Sequence, residues 1–521
     1  MQKKVNRVLF WFILIQPFLE LDWFYKGKIS TVLPFTIPTI IRIAGVFIIF
    51  IMYFSQKLNW QRLAQQWWVL AYIIILLIYS GAHLYHVRAA NFQSLNPSGY
   101  GYSTVSEIFY ILRMILPLVI LYITRYVPFG EKQVERLIQS LSGLFSLTIV
   151  LSNLFVVSLP AYGNLPSIKA NIFAWFSHNN YSYFELTSKG FFYFSNTISA
   201  ILFFLMPLIL YFLYKDFNVT NIVLVICQSL AMLMLGTKVG TYGLFISFFV
   251  FFIFYLLHLL IFKNVKFKKG FFISFLLIIL GSGLITPYSP MFRRNSFDTN
   301  VITKREKKGH AEKLDSKLNQ GLKKYKGKEQ EKFLKDFISK HYAYFSLQQK
   351  FVFRSYSYKY DPYFWLDVMR SPIPDRLSNR HIEILMLNQV VKNNHNKYDK
   401  WLGISYAREG NIFPLERDFL SQYYSMGIIG VIVLLGIYIV ELIYLVYSWF
   451  RTKLNRNFIN TVIIISLTFI LTASFYSGNV MDFLGATLIM AFIYGYGLQL
   501  VDNSKNAKEL NTRKKLDKKV N

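Results

Sequence analysis

Apolar runs close to the twenty residues that carry an α-helix across a bilayer recur along almost the whole chain, which leaves little alternative to a bundle of membrane-spanning helices. They fall at about 7 to 24, 36 to 54, 67 to 85, 104 to 124, 137 to 158, 191 to 214, 219 to 235, 239 to 258, 270 to 286, 422 to 447, 458 to 476 and 482 to 501. The expected fold class is therefore an all-α polytopic membrane protein with about twelve transmembrane helices. The stretch from Asn221 to His258 is almost unbroken apolar sequence and as one helix would run about 57 Å, against a hydrocarbon core of about 30 Å. A break is predicted at Gly236-Thr237-Lys238-Val239-Gly240, where two glycines permit a reversal and the lysine reaches the interface.

The runs divide the 521 residues into nine helices over 1–286, a long segment over 287–421, three more helices over 422–502 and a basic tail over 503–521. On the short connections sixteen Lys or Arg fall on the side of the N-terminus, and six (Lys26, Lys28, Arg88, Lys169, Lys189 and Lys238) fall on the other. The positive-inside bias then places both termini in the cytoplasm and the long loop outside. The first apolar run has a basic start but no small-residue cleavage site, so it reads as a retained helix.

A net charge of +30 resembles a nucleic-acid signature, but cytoplasmic lysines near anionic lipid account for much of it and no nucleic-acid partner is expected. The loop carries 26 basic and 15 acidic residues, an excess that orientation does not explain. It fits either a surface that collects an anionic substrate or a basic helix resting on headgroups. The single cysteine, Cys227, rules out an internal disulfide, so the loop is held by packing alone.

From Lys304 to His341 the apolar residues Leu314, Leu318, Leu322, Phe333, Leu334, Phe337 and Ile338 keep helical spacing among charges, so the loop is expected to be mostly helical. Tyr342 to Trp365 is dense in aromatics (Tyr356, Tyr358, Tyr360, Tyr363, Phe364, Trp365), a composition suited to an interfacial belt or to stacking on sugar rings. Ser378 or Asn379 caps a helix opening at Arg380. Downstream come Trp401-Leu402-Gly403-Ile404, Glu416-Arg417-Asp418-Phe419-Leu420 and Met426-Gly427-Ile428-Ile429-Gly430.

This order of a basic residue in a loop helix, a Leu-Gly turn and an acidic pair before a Gly-Ile-Ile-Gly helix resembles the O-antigen polymerase and O-antigen ligase superfamily. Gly190-Phe191-Phe192-Tyr193-Phe194-Ser195-Asn196 is similar to that family's glycine-to-asparagine entry into a middle helix, and Leu235-Gly236-Thr237-Lys238 to its short turn carrying a basic residue. The resemblance implies a bacterial inner-membrane glycosyltransferase that uses no cofactor or metal and takes its donor glycan from a polyprenyl diphosphate outside the membrane. It also implies membrane lipids, a flippase and a chain-length regulator of the same pathway as partners. Glu416 to Asp418 stand where ligases of the family usually carry a histidine with an asparagine, which favours polymerisation of lipid-linked repeats over transfer to a terminal acceptor.

Cleaving a sugar to diphosphate bond needs positive charge on the departing phosphates and a base for the incoming hydroxyl. Arg380 is the candidate for the first role, unless it merely pairs with Glu383 one turn on. Glu416 or Asp418 is the candidate base, the other being a helix cap or a partner of Arg417. Two residues apart on a helix, they point about 200° from each other. A Glu-x-Asp divalent-metal site is the minority alternative. Arg113 lies about ten residues into a span, where an ionisable group is costly, and is read as a phosphate contact or as a buried partner of Glu441. Lys238, Arg417 and Asn196 complete the candidate substrate contacts. His83 and His86 have metal-compatible spacing but read as headgroup residues, and His381 as a bystander. A transporter or flippase of lipid-linked oligosaccharide, and a non-enzymatic scaffold, are the competing classes. The first would need repeats and mid-membrane charges, and the second tolerates alanine at Arg380 and Glu416.

Overall fold

The computed structural model describes residues 2–25, 36–89, 101–163, 165–177, 181–297, 310–412 and 415–520. The outward lysines Lys26 and Lys28, and the beginning of the loop helix at Lys304, lie outside them. The described residues are overwhelmingly helical, with one isolated bridge between Leu21 and Phe192. Ten helices among them are long and apolar enough to cross a membrane, from Ile37–Phe54 to Leu484–Lys505.

Two of the twelve expected spans fall short. The first helix, Gln2–Leu14, has 13 residues, giving about 20 Å of rise before the chain turns into short 3-10 segments. Val219–Met234 has 16. The break predicted after it is present: Gly236 adopts φ +62, and the next helix starts at Lys238 with Thr237 as its N-cap accepting the Gly240 N–H at 2.9 Å.

The chain divides into two compact units. One comprises Met1–Ala71, Leu112–Arg294 and Gly436–Asn521. At its centre the Ser195–Lys215 helix is apolar on all sides and buried along nearly its whole length. The helices Glu131–Leu154, Val219–Met234, Lys238–Leu256 and Phe458–Tyr476 pack around it. Arg42 and Glu20, both buried in this unit, pair with each other at 2.7 Å.

The other unit comprises Tyr72–Ile111 and Asn295–Leu435. Helices His310–Lys324 and Gly327–His341 bury their predicted apolar stripe, Leu318, Leu334, Phe337 and Ile338, in its core. Their lysines are left at the surface, so the apolar face that would settle these helices on headgroups is already used. The aromatic stretch also differs from expectation. Tyr356, Tyr358, Phe364 and Trp365 are core residues, neither an interfacial belt nor an open sugar platform. The Trp365 indole donates to the Tyr356 carbonyl at 2.7 Å and the Tyr356 hydroxyl to Asp361 at 2.8 Å, so each polar tip is satisfied inside the unit. Tyr344, Tyr360 and Tyr363 alone of this stretch's tyrosines are well exposed.

Candidate functional site

The 379–418 region of the second unit brings two of the predicted residues, Arg380 and Glu416, into contact. Arg380 and Glu383 lie one turn apart on the Asn379–Asn394 helix, whose buried stripe is Ile382, Glu383, Met386, Leu387, Val390 and Asn394. Arg380 is at the exposed end of that stripe, and its guanidinium meets the Glu416 carboxylate at 3.2 Å, with both side chains partly open to solvent. The alternative pairing with Glu383 is not the one formed: Glu383 is 2% exposed, and the ion pair is with Glu416.

Glu416 and Asp418 face different surroundings, but not through the helical angle, because Glu416 lies outside the helix. Glu416 precedes the Asp418–Gly430 helix and faces Arg380, whereas Asp418 is buried in the helix's first turn. Arg417 lies between them as N-cap, with its backbone N–H bonded to the Leu415 carbonyl at 2.8 Å. Buried Glu409 positions this stretch by accepting the Leu415 N–H at 3.0 Å and the Ser421 hydroxyl at 3.2 Å. Of the two candidate bases, Glu416 is the one open to solvent.

Burial and the like charge of Glu416 push the Glu383 carboxyl up to about 8, against the pull of Lys350, Arg380 and the Glu416 backbone N–H. Its Oε2 has no hydrogen-bond partner among the described residues. Sequence reasoning treated this residue as an incidental partner, although its place on the 383, 386, 387, 390 stripe was a readable sign of burial.

His83 and His86 are buried members of a polar network, not headgroup residues. His83 bonds the Leu402 carbonyl through Nδ1 at 2.6 Å and Glu107 through Nε2 at 2.8 Å. A carbonyl only accepts, so Nδ1 carries a proton. Glu107 also accepts from the Ser405 hydroxyl and the Tyr406 N–H, and His86 pairs with Asp399 at 2.9 Å. These contacts pin residues 399–406 inside the second unit.

Arg113, Asn196 and Lys238 belong to the first unit. The acidic partner of Arg113 is Asp482, at 4.0 Å, and not Glu441, which lies near Arg125. Burial raises the Asp482 pKa and Arg113 opposes that rise. The turn carrying Asp482 also meets the start of the Ser195–Lys215 helix, where Thr197 donates to the Asn479 carbonyl at 2.6 Å and Phe194 packs on Phe483. Asn196 is half-buried in that first helical turn. A 2.7 Å contact between Ser199 and Thr237 ties the helix to the turn holding exposed Lys238. Asp482 does not stand out in the sequence because, as the first residue of the 482 to 501 run, it looks like any charge at a helix end; the helix itself begins at Leu484.

An all-α chain with ten helices long and apolar enough to cross a membrane among its described residues defines a multi-pass integral membrane protein. The family described as O-antigen ligase like membrane protein matches residues 2–503, and the chain belongs to that family. No curated protein sequence matches it.

Proposed function

We propose that this protein is a glycosyltransferase that polymerises oligosaccharide repeats carried on polyprenyl diphosphate, on the outer face of a bacterial inner membrane and without a metal ion. The Arg380–Glu416 pair carries this reading: a guanidinium and a reachable carboxylate 3.2 Å apart, in a chain that belongs to a lipid-linked glycan family. The acceptor hydroxyl attacks the anomeric carbon of the donor and loses its proton to Glu416, while the bond from that carbon to the phosphate oxygen breaks. Arg380 binds the departing diphosphate, which leaves with the bonding electron pair. Arg417 adds a second cation beside Glu416, and a flippase and a chain-length regulator are the expected pathway partners. Transfer to a terminal acceptor is the second reading, favoured by the family's ligase members; a carboxylate where those members carry histidine favours polymerisation.

The test is the length distribution of lipid-linked and surface glycan in cells carrying the wild-type chain, Arg380→Ala or Glu416→Ala, with membrane levels matched. Accumulation of single lipid-linked repeats supports a polymerase, and long chains retained on the lipid indicate a ligase. Unchanged glycan from both variants overturns the site and returns the scaffold and flippase readings.

Arg113 of the first unit is proposed as a contact of the lipid-linked substrate, together with Lys238 and Asn196. Arg113→Ala is expected to lower transfer about tenfold, ~1.4 kcal/mol of barrier. Asp482→Asn, which keeps the cation and removes its partner, is expected to lower it about threefold, ~0.7 kcal/mol. Initial rates normalised to the amount of membrane protein check both, and a larger loss in Asp482→Asn than in Arg113→Ala would make the pair purely structural.

A further inference from the structure

A buried carboxyl lies directly behind the Arg380–Glu416 pair, and the mechanism above does not use it. Glu383 is on the same helix as Arg380, one turn deeper, with its side chain in the core. The charged groups that face it are Arg380 on its own helix, Lys350 from the segment before the Phe351–Ser355 turn, and Glu416 from the segment leading into the Asp418–Gly430 helix. The backbone N–H of Glu416 also points at it.

We propose that Glu383, in its neutral form, is the positioning residue for Glu416: one oxygen receives the Glu416 backbone N–H, and the other presents an O–H to the Glu416 side chain when substrate draws Arg380 away. This rests on the proposed transfer reaction. In the free protein Arg380 holds the Glu416 carboxylate. A diphosphate competes for the same guanidinium, so during turnover Glu416 loses that partner and a second donor keeps it in place. Glu383 Oε2 has no hydrogen-bond partner among the described residues, and Glu383 lies close enough to Glu416 to feel its charge, so in its neutral form this oxygen can supply a hydrogen. If Glu383 ionised, that donor would be replaced by a second negative charge beside Glu416, and Arg380 would be shared between two carboxylates and the phosphates. No proton leaves Glu383 in the reaction; it orients the base and stays protonated.

Glutamine keeps the shape, the neutrality and a donor at this position, and alanine keeps none of the last. In full-length purified protein supplied with polyprenyl-diphosphate-linked repeats, Glu383→Gln is expected to retain transfer within about threefold of wild type at neutral pH. It is also expected to lose the decline that wild type shows as pH rises through about 8. Glu383→Ala is expected to lower kcat about tenfold with little change in KM. Equal losses in Gln and Ala variants, with a wild-type pH profile in both, overturn the positioning role, as does wild-type activity in Glu383→Ala. Arg380→Ala, run alongside, separates the two levels when the Glu383 variants give the overturning result: if Arg380→Ala has lost transfer, the transfer reading stands and only the Glu383 role falls, and if it transfers normally both fall.

A second readout needs no turnover. The Glu383 proton is bound more tightly in the folded than in the unfolded chain, so its stabilising contribution is complete at pH below the ordinary carboxylate range and is lost as pH rises through about 8. Thermal unfolding between about pH 6 and about pH 9 should therefore fall more steeply for wild type than for Glu383→Gln. Identical slopes would show that Glu383 does not hold the proton the proposal requires.

Discussion

Arg380→Ala is expected to reduce glycan transfer by about a hundredfold or more, ~3 kcal/mol, while the protein remains folded in the membrane. The functional loss is large because a departing diphosphate concentrates negative charge, and a planar guanidinium held in place stabilises it through two directed bonds without reorganising. The structural loss is small because the pair with Glu416 is partly solvent-exposed, with side chains 34% and 47% accessible, and such pairs contribute about 0–1 kcal/mol. Arg380→Lys separates charge from geometry. It keeps the cation but loses the fork, so an intermediate loss of about tenfold, ~1.4 kcal/mol, is expected. The measurement is initial rate with purified protein, alongside thermal unfolding of each variant. If Arg380→Ala instead unfolds the protein, or transfers at the wild-type rate, Arg380 is a structural residue and the phosphate-binding role fails.

The bundle was legible because bilayer thickness imposes a length on each apolar run, and the break near Gly236 followed from that length alone. The Gln2–Leu14 helix shows the limit of the rule: hydropathy continues past Leu14, but the chain turns into 3-10 segments whose Glu20 is paired with Arg42 from another helix. In the long loop the helical spacing of Leu318, Leu334, Phe337 and Ile338 could be read, but what the apolar face packs against could not. Tyr356 and Trp365 have the same composition whether they lie at an interface or inside a core, and only the fold chooses. The site divides in the same way. Arg380 and Glu416 were read individually, whereas their pairing, the Asp482 partner of Arg113 and the anchoring of His83 by Glu107 join residues far apart in the chain. Local spacing offers Glu383 only as an alternative partner of Arg380, and the place of Glu383 on the buried stripe is what rules that pairing out.

Gly427→Ala is expected to destabilise the second unit by roughly 3–5 kcal/mol and to remove transfer activity with it. Gly427 breaks the Asp418–Gly430 helix at φ 73, ψ 177, and Gly403 adopts φ 82, ψ 173; both fall in a region that only glycine occupies at low cost. The two glycines also pack against each other's chain: a Cβ on Gly427 would overlap the Trp401 carbonyl, and one on Gly403 would overlap the Ser425 carbonyl. The close approach has a purpose in hydrogen bonding. The Tyr424 and Ser425 carbonyls at the break accept the Ile404 and Ser405 N–H groups at 2.8 and 3.1 Å, and the Met426 carbonyl accepts the Tyr79 hydroxyl at 2.7 Å. An alanine at 427 is strained by its own backbone and drives the 401–405 strap away, which also loosens the network of His83 and Glu107. Glu416 and Asp418 lie between the strap and the break, so the candidate base loses its placement without itself being changed. The Leu-Gly turn and the Gly-Ile-Ile-Gly helix are thus two halves of one junction, which is why they occur together in the sequence. Gly281→Ala is the control, since a Cβ there meets nothing within 4 Å, and its unfolding temperature should match wild type or exceed it. A Gly427→Ala protein that unfolds with the wild-type midpoint would mean that the break is dispensable and that the junction does not hold the site.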